Sequence, residues 1–107
     1  MSATGIDATF AALGDPTRRR VLGLLAERDG ATASELAREL PVTRQAIAKH
    51  LAALDAAGLV VAVREGRDVR YRVTPAPLED AVAWMTRVGG EWDARLERLA
   101  KHAGRAV

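Results

Sequence analysis

Thr43, Arg44, Gln45, Lys49 and His50 crowd hydrogen-bonding groups of the kind that read nucleic acids into one short stretch. Guanidinium and ammonium groups donate to guanine O6 and N7, and a glutamine amide pairs bidentately with adenine N6 and N7. A threonine placed as a helix cap leaves the first backbone N–H groups next to it suited to a phosphate. Further along, Arg64, Arg67, Arg70 and Arg72 form a second cationic group, suited to phosphate oxygens or a minor groove. Glu65 and Asp68 stand among these arginines, so partial self-pairing there is a competing reading. Taken singly, each of these charges is also compatible with an ordinary solvated surface.

The elements that must position them separate these readings. Ile47, Leu51 and Leu54 fall at i, i+4 and i+7, which predicts a helix capped by Thr43 and closed at Gly58. On its wheel, Gln45 and Lys49 lie opposite the apolar stripe, with Arg44 and His50 flanking it. A shorter helix, Glu35 to Leu40, precedes it, capped by Thr32 or Ser34 and stopped by Pro41. Two strands follow, Leu59 to Arg64 and Val69 to Thr74, around Glu65-Gly66-Arg67-Asp68. Alternation puts Tyr71 and Val73 on one face and Arg70 and Arg72 on the other. Capped helix, break, capped helix and basic hairpin, in that order, is how a small domain builds a probe for the major groove with a second probe beside it.

The flanks are helical. Ile6 to Leu13 reads as a short helix, and Asp15-Pro16 restarts a second one that runs to about Glu27. Val21, Leu22, Leu24 and Leu25 form its inward face, and Asp29-Gly30 breaks it. Pro75 and Pro77 are expected to stop the second strand, and a last helix to run from near Leu78 to about Lys101. Leu78, Val82, Met85, Trp92, Leu96 and Leu99 fall on one stripe of that helix, and Gly89-Gly90 is expected to interrupt or kink it. The expected fold class is mainly α with a small β-hairpin: a winged helix-turn-helix of about five helices plus a two-stranded wing. One domain spans 1–107, with helices and wing in 6–74 and a C-terminal dimerisation helix in 75–107 paired with the N-terminal helix 6–13.

Charge supports the same placement. Residues 1–41 carry 5 basic and 6 acidic side chains, residues 42–74 carry 6 and 3, and residues 75–107 carry 5 and 5. The positive excess therefore sits on the helix-plus-hairpin segment. Cysteine is absent, which excludes disulfides and thiolate chemistry. There is no phosphate-cradling glycine loop and no nucleophile elbow, and only two histidines are available. No enzyme, metal or cofactor is expected. No apolar run is long enough for a bilayer and no signal peptide is visible, so no membrane partner and a cytoplasmic location are expected.

The stretches ALGDPTRRRVLGLL, SELAREL, TRQAIAKHLAALDAAGLV and REGRDVRYRV resemble the ArsR/SmtB group of bacterial winged helix-turn-helix repressors over roughly residues 8–100. That resemblance implies a symmetric homodimer joined through its first and last helices, bound to a palindromic operator until a signal releases it. By position it makes Thr43, Arg44, Gln45, Lys49 and His50 recognition-helix residues, and Arg64, Arg67 and Arg70 wing residues. Phe10, Leu78, Val82, Met85, Trp92, Leu96 and Leu99 become dimer-interface candidates. Many relatives carry Ser where Ala48 stands, so one family contact is missing here. Metal-sensing relatives carry a cysteine pair in the third helix or a carboxylate and histidine set in the last. This chain has neither, only His102 beside Glu97.

Two alternatives stay open at this level. Trp84, Met85 and Trp92 either line a ligand pocket or pack in the interface. A winged helix can also bind proteins instead of DNA, which would favour apolar or acidic residues on the outer face of the fourth helix. Arg44, Gln45 and Lys49 are neither, although Ala48 and Ala52 leave that face sparse. The inducer, the operator and the choice between repression and activation are not written in any motif.

Overall fold

The computed structural model describes the backbone of residues 3–106 and the side chains of residues 5–101. Eight elements follow one another: α1 (Ala3–Leu13), α2 (Pro16–Arg28), β1 (Ala31–Thr32), α3 (Ala33–Glu39), α4 (Arg44–Ala56), β2 (Val60–Glu65), β3 (Asp68–Val73) and α5 (Pro75–Ala106). The helix starts are set by side-chain caps. The Asp15 carboxylate accepts from the Arg18 backbone N–H at 3.0 Å, and the Thr43 hydroxyl accepts from that of Ala46 at 3.1 Å. Of the two candidate caps for α3, Thr32 fills the role. Its hydroxyl accepts from Glu35 N–H while its own N–H donates to the Glu35 carboxylate, both at 3.2 Å. This reciprocal pair satisfies two donors that the helix start would otherwise leave open.

The core is aliphatic. Val21, Leu22 and Leu25 of α2, Leu36 of α3, and Ile47, Leu51 and Leu54 of α4 converge with Leu59 and Val60 into one buried cluster. Tyr71, Val73 and Leu78 pack against its edge. Thr9 is a buried polar residue, and its hydroxyl is satisfied within α1 by the Gly5 carbonyl at 3.0 Å.

Four features depart from the sequence expectation. First, the wing belongs to a three-stranded sheet, in the order β1-β3-β2. Ala31 pairs with Tyr71 and Thr32 with Arg70, antiparallel. This is possible because α2 ends on Asp29 in the left-handed region (φ 55°), followed by Gly30 at φ 109°. A Cβ at Gly30 would stand 3.1 Å from the Tyr71 carbonyl oxygen and 3.0 Å from the Arg72 side chain, so only glycine lets β3 pass this close. Second, the wing strands reach Glu65 and Asp68, which pair with each other and leave a two-residue turn. Gly66 takes the positive φ (63°) at the first central position, as a tight hairpin turn of type II′ requires.

Third, Pro75 and Pro77 do not delay the last helix, which begins at Pro75 itself. In the first turn the missing proline N–H would have had no intrahelical partner, so nothing is lost there. Fourth, α5 runs through Gly89-Gly90 as one 32-residue helix. Glycine keeps its N–H and so breaks no hydrogen bond, but two such residues disfavour the helix by about 2 kcal/mol relative to alanine. At about 1.5 Å per residue α5 is close to 50 Å long. It gives the chain extents of 69 × 30 × 21 Å and a radius of gyration of 18.9 Å. A compact chain of 100 residues would have a radius near ~13 Å. The first half of α5 lies on α1, where Phe10 meets Trp84 edge-on with ring centroids 5.6 Å apart. Ala81 is buried there, whereas residues 91–101 are all exposed.

Candidate nucleic-acid interface

α4 is fixed from three sides. Its apolar stripe fills the core, Thr43 sets its first turn, and α3 lies against it across the short break at Pro41. The opposite face is left to solvent: Thr43, Arg44, Gln45, Ala48 and Lys49 are all exposed. Among the described residues, the side chains of Arg44, Gln45 and Lys49 make no hydrogen bond or ion pair. Three donor-bearing side chains thus stand free on the first turn and a half of a rigid helix, beside a helix N-terminus. The shape is convex and the chemistry is that of a ligand with accepting edges and anionic rails.

His50 is placed differently from its neighbours. It is partly buried, and its Nδ1 is enclosed without a hydrogen-bond partner. It lies close enough to Asp15 to act on that charge. Donation from the Arg18 backbone N–H is the main reason the Asp15 carboxyl sits below its ordinary value, with His50 adding to the effect. His50 is therefore turned partly inward, unlike the exposed Arg44, Gln45 and Lys49.

The hairpin arginines divide into two pairs. Arg64 and Arg67 are exposed and unpaired among the described residues, at the end of β2 and in the turn. Arg70 is tied into the body: it donates to the Glu65 carboxylate at 3.1 Å, and to the Gly30 carbonyl and the Glu35 carboxylate at 3.3 Å each. The hydrogen bond with Glu65 raises the Arg70 guanidinium above its already high ordinary value. Donation from the Thr32 backbone N–H, helped by Arg70, holds the Glu35 carboxyl below the usual range. Arg72 pairs with Asp29 at 3.6 Å and with Glu65 at 4.0 Å. Arg70 and Arg72 thus brace the wing root against α2 and α3, while Arg64 and Arg67 are presented outward.

The interface candidates also separate. Leu78 is partly buried against the chain's own core and Phe10 is partly buried against Trp84. Val82, Met85, Trp92, Leu96 and Leu99 are 47–63% exposed. Trp92 has the Arg95 guanidinium 5.3 Å from its ring centroid, a cation–π contact that covers one face only. Trp84 borders a shallow cleft of about 220 Å³ with Ile6, Asp80, Ala83 and Arg87; Trp92 is not part of it. No group of three or more His, Asp or Glu positioned to hold a metal ion occurs among the described residues. The His102 side chain lies outside them. No described helix is long and apolar enough to cross a membrane.

Comparison with known proteins accords with this geometry. Residues 13–63 match the model of a helix-turn-helix domain family. The HTH-type transcriptional regulator YuzN of Bacillus subtilis is 51% identical over 73 residues, covering 63% of this chain and 76% of that protein. The transcriptional repressor SdpR of the same organism is 34% identical over 76 residues, covering 71% and 83%. Some further curated relatives are longer, and the match spans 64% of their length. Among solved structures, an ArsR-like transcriptional regulator from Rhodococcus sp. RHA1 superposes with a TM-score of 0.78 at 48% identity, over 90% of each chain. The fold and the site define a winged helix-turn-helix transcriptional regulator, which is not an enzyme. Within that class, the chain belongs to the ArsR/SmtB family.

Proposed function

We propose that the chain is a homodimeric repressor of the cytoplasm that binds a palindromic operator through α4 and the wing tip. The carrying observation is the free donor face of α4, where Arg44, Gln45 and Lys49 project without partners while Ile47, Leu51 and Leu54 anchor the opposite side. In this reading Arg44 and Gln45 read base edges in the major groove, and Lys49 and Thr43 meet phosphates. Arg64 and Arg67 reach the neighbouring backbone or minor groove. Arg70, Arg72 and His50 act indirectly, by holding the wing and α4 at a fixed relation.

Dimerisation uses the exposed stripe of α5, with α1 beside it. A patch of five large apolar side chains on one helix is more than a lone monomer surface usually leaves uncovered. Two copies would place their α4 helices in successive major grooves, roughly 10 base pairs apart. Repression is favoured over activation by the name of SdpR, a relative matched over most of its length.

Fluorescence-anisotropy titration against the DNA upstream of the chain's own gene, with a scrambled duplex as control, tests the reading at two salt concentrations. Binding tighter to the upstream duplex, and weakening steeply with salt, is the expected result. Equal affinity for both duplexes would remove the autoregulatory operator. Absence of binding at low salt would overturn the DNA-binding reading for this chain.

A further inference from the structure

The exposed positions of α4 do not all carry donors. Ala48 is exposed and adjoins two that do, with Arg44 four residues before it and Gln45 three. The Cα–Cβ bonds of a helix tilt toward its N-terminus, so Arg44 and Gln45 lean away from Ala48. The residues placed to lean over it are Leu51 and Ala52. Leu51 is 1% exposed and committed to the core, and Ala52 ends at its own Cβ. The Ala48 methyl is therefore uncovered, within the surface assigned to the major groove.

We infer that Ala48 is a specificity-determining residue whose methyl packs on the 5-methyl group of a thymine in each operator half-site. This rests on the DNA-binding reading above and adds a base that no hydrogen bond reads. The chemistry of the groove floor makes the choice. Guanine, adenine and cytosine present N7, O6, N6 or N4 there, all polar atoms that water satisfies in free DNA. A methyl pressed on such an atom strips its water and returns no hydrogen bond. Thymine adds an apolar substituent, its C5-methyl, and contact with it takes apolar surface of both molecules out of water. Three residues of helix span about 4.5 Å and stacked base pairs about 3.4 Å, so this thymine lies one or two base pairs from the base that Gln45 reads. Ala52 is exposed too, but Asp55 stands three residues on and leans toward it, and a carboxylate is repelled by the phosphate backbone. Of the two alanines, Ala48 is the one beside donors and not beside an acid.

The test uses a duplex that the full chain selects from random sequence, with its thymines replaced one at a time by deoxyuridine. Deoxyuridine pairs as thymine does and lacks only the 5-methyl group. For the wild-type chain, one position in each half-site should lose about 4-fold in affinity, the weight of one buried methyl. In Ala48→Gly the same replacement should cost less than about 2-fold, because the protein side of the contact is already gone. Ala52→Gly carries the same glycine penalty in the same helix and should keep the full discrimination. Each ratio is taken within one protein, so a weakened helix lowers affinity for both duplexes alike. Deoxyuridine tolerated by the wild type at every position overturns the inference and leaves DNA binding standing. So does a loss that persists unchanged in Ala48→Gly, or one that disappears in Ala52→Gly instead. A chain that selects no sequence overturns the DNA-binding reading and the inference together.

Discussion

α4 and α5 are patterned alike and end differently. Both carry a regular apolar stripe, yet Ile47, Leu51 and Leu54 of α4 are at most 1% exposed while Val82, Met85, Trp92, Leu96 and Leu99 of α5 stand 47–63% exposed. The stripe of α4 meets α2, α3 and the sheet within the same chain, so its polar face is held outward at a fixed angle. The stripe of α5 runs past the end of the body, and its described residues there are all exposed. An apolar face therefore does not by itself say where it will be buried. Partners elsewhere in the sequence decide that, and among the described residues α5 beyond Gly90 is exposed throughout.

The sharpest way to break the contrast is to cut both stripes and compare. Leu51→Ala should remove about 2–5 kcal/mol of folding stability, the usual range for a fully buried leucine, independent of protein concentration. Urea denaturation at two concentrations reads this directly. Leu96→Asp removes the burial of one leucine per copy, about 1.5–3 kcal/mol each, but only from the dimer. The isolated variant should fold, sediment as a monomer and lose the concentration dependence of its melting temperature. A stable dimer from Leu96→Asp would show that the stripe is not the interface.

The difference between the helices also explains what could be read without coordinates. Caps and stripes are local, so Asp15, Thr43, the break at Pro41 and the inward leucines were legible from type and spacing alone. β1 was not, because two residues have no periodicity and Ala31–Thr32 become a strand only by pairing with Tyr71 and Arg70 far along the chain. The faces of Arg70 and Arg72 followed from alternation, but their carboxylate partners Glu35 and Asp29 did not. Self-pairing with Glu65 was legible in the sequence, but the split into two bracing and two presented arginines was not. His50 shows the same limit. The wheel places it beside the apolar stripe, and only the packing around α4 decides that its Nδ1 is enclosed.

The presented and the braced groups should respond to different measurements. Arg44→Ala or Gln45→Ala is expected to weaken operator binding by about 1–3 kcal/mol and to relax preference at one base, with melting unchanged. Arg67→Ala should weaken binding evenly across sequences and lower the salt slope by about 1 per wing. Unchanged operator affinity in both Arg44→Ala and Gln45→Ala would remove α4 as the reading helix. Thr43→Ala tests the support beneath them. Loss of the cap at Ala46 should lower stability by about 1 kcal/mol, with DNA affinity falling less than for Arg44→Ala.

The smallest effect belongs to the braces, and it is visible only in acid. Asp15 and Glu35 have carboxyls held below their ordinary values of 3.8 and 4.5, mainly by backbone N–H donors at helix starts. A carboxyl depressed in the folded state contributes its full stability above its unfolded value and loses it as pH falls through the folded one. The melting temperature should therefore stay flat with pH above roughly 5 and decline below about 4.5. Glu35→Gln keeps a side-chain oxygen for the Thr32 N–H but removes the charge that Arg70 faces, so its curve should be flatter in acid than that of the wild type. Asp15→Asn preserves a good cap in the same way, since asparagine caps as well as aspartate. If both variants followed the wild-type curve down to pH ~3, the acid sensitivity would have to arise from other carboxylates. The link from Thr32 through Glu35 to Arg70 would then be a geometric contact with no measurable hold on the wing.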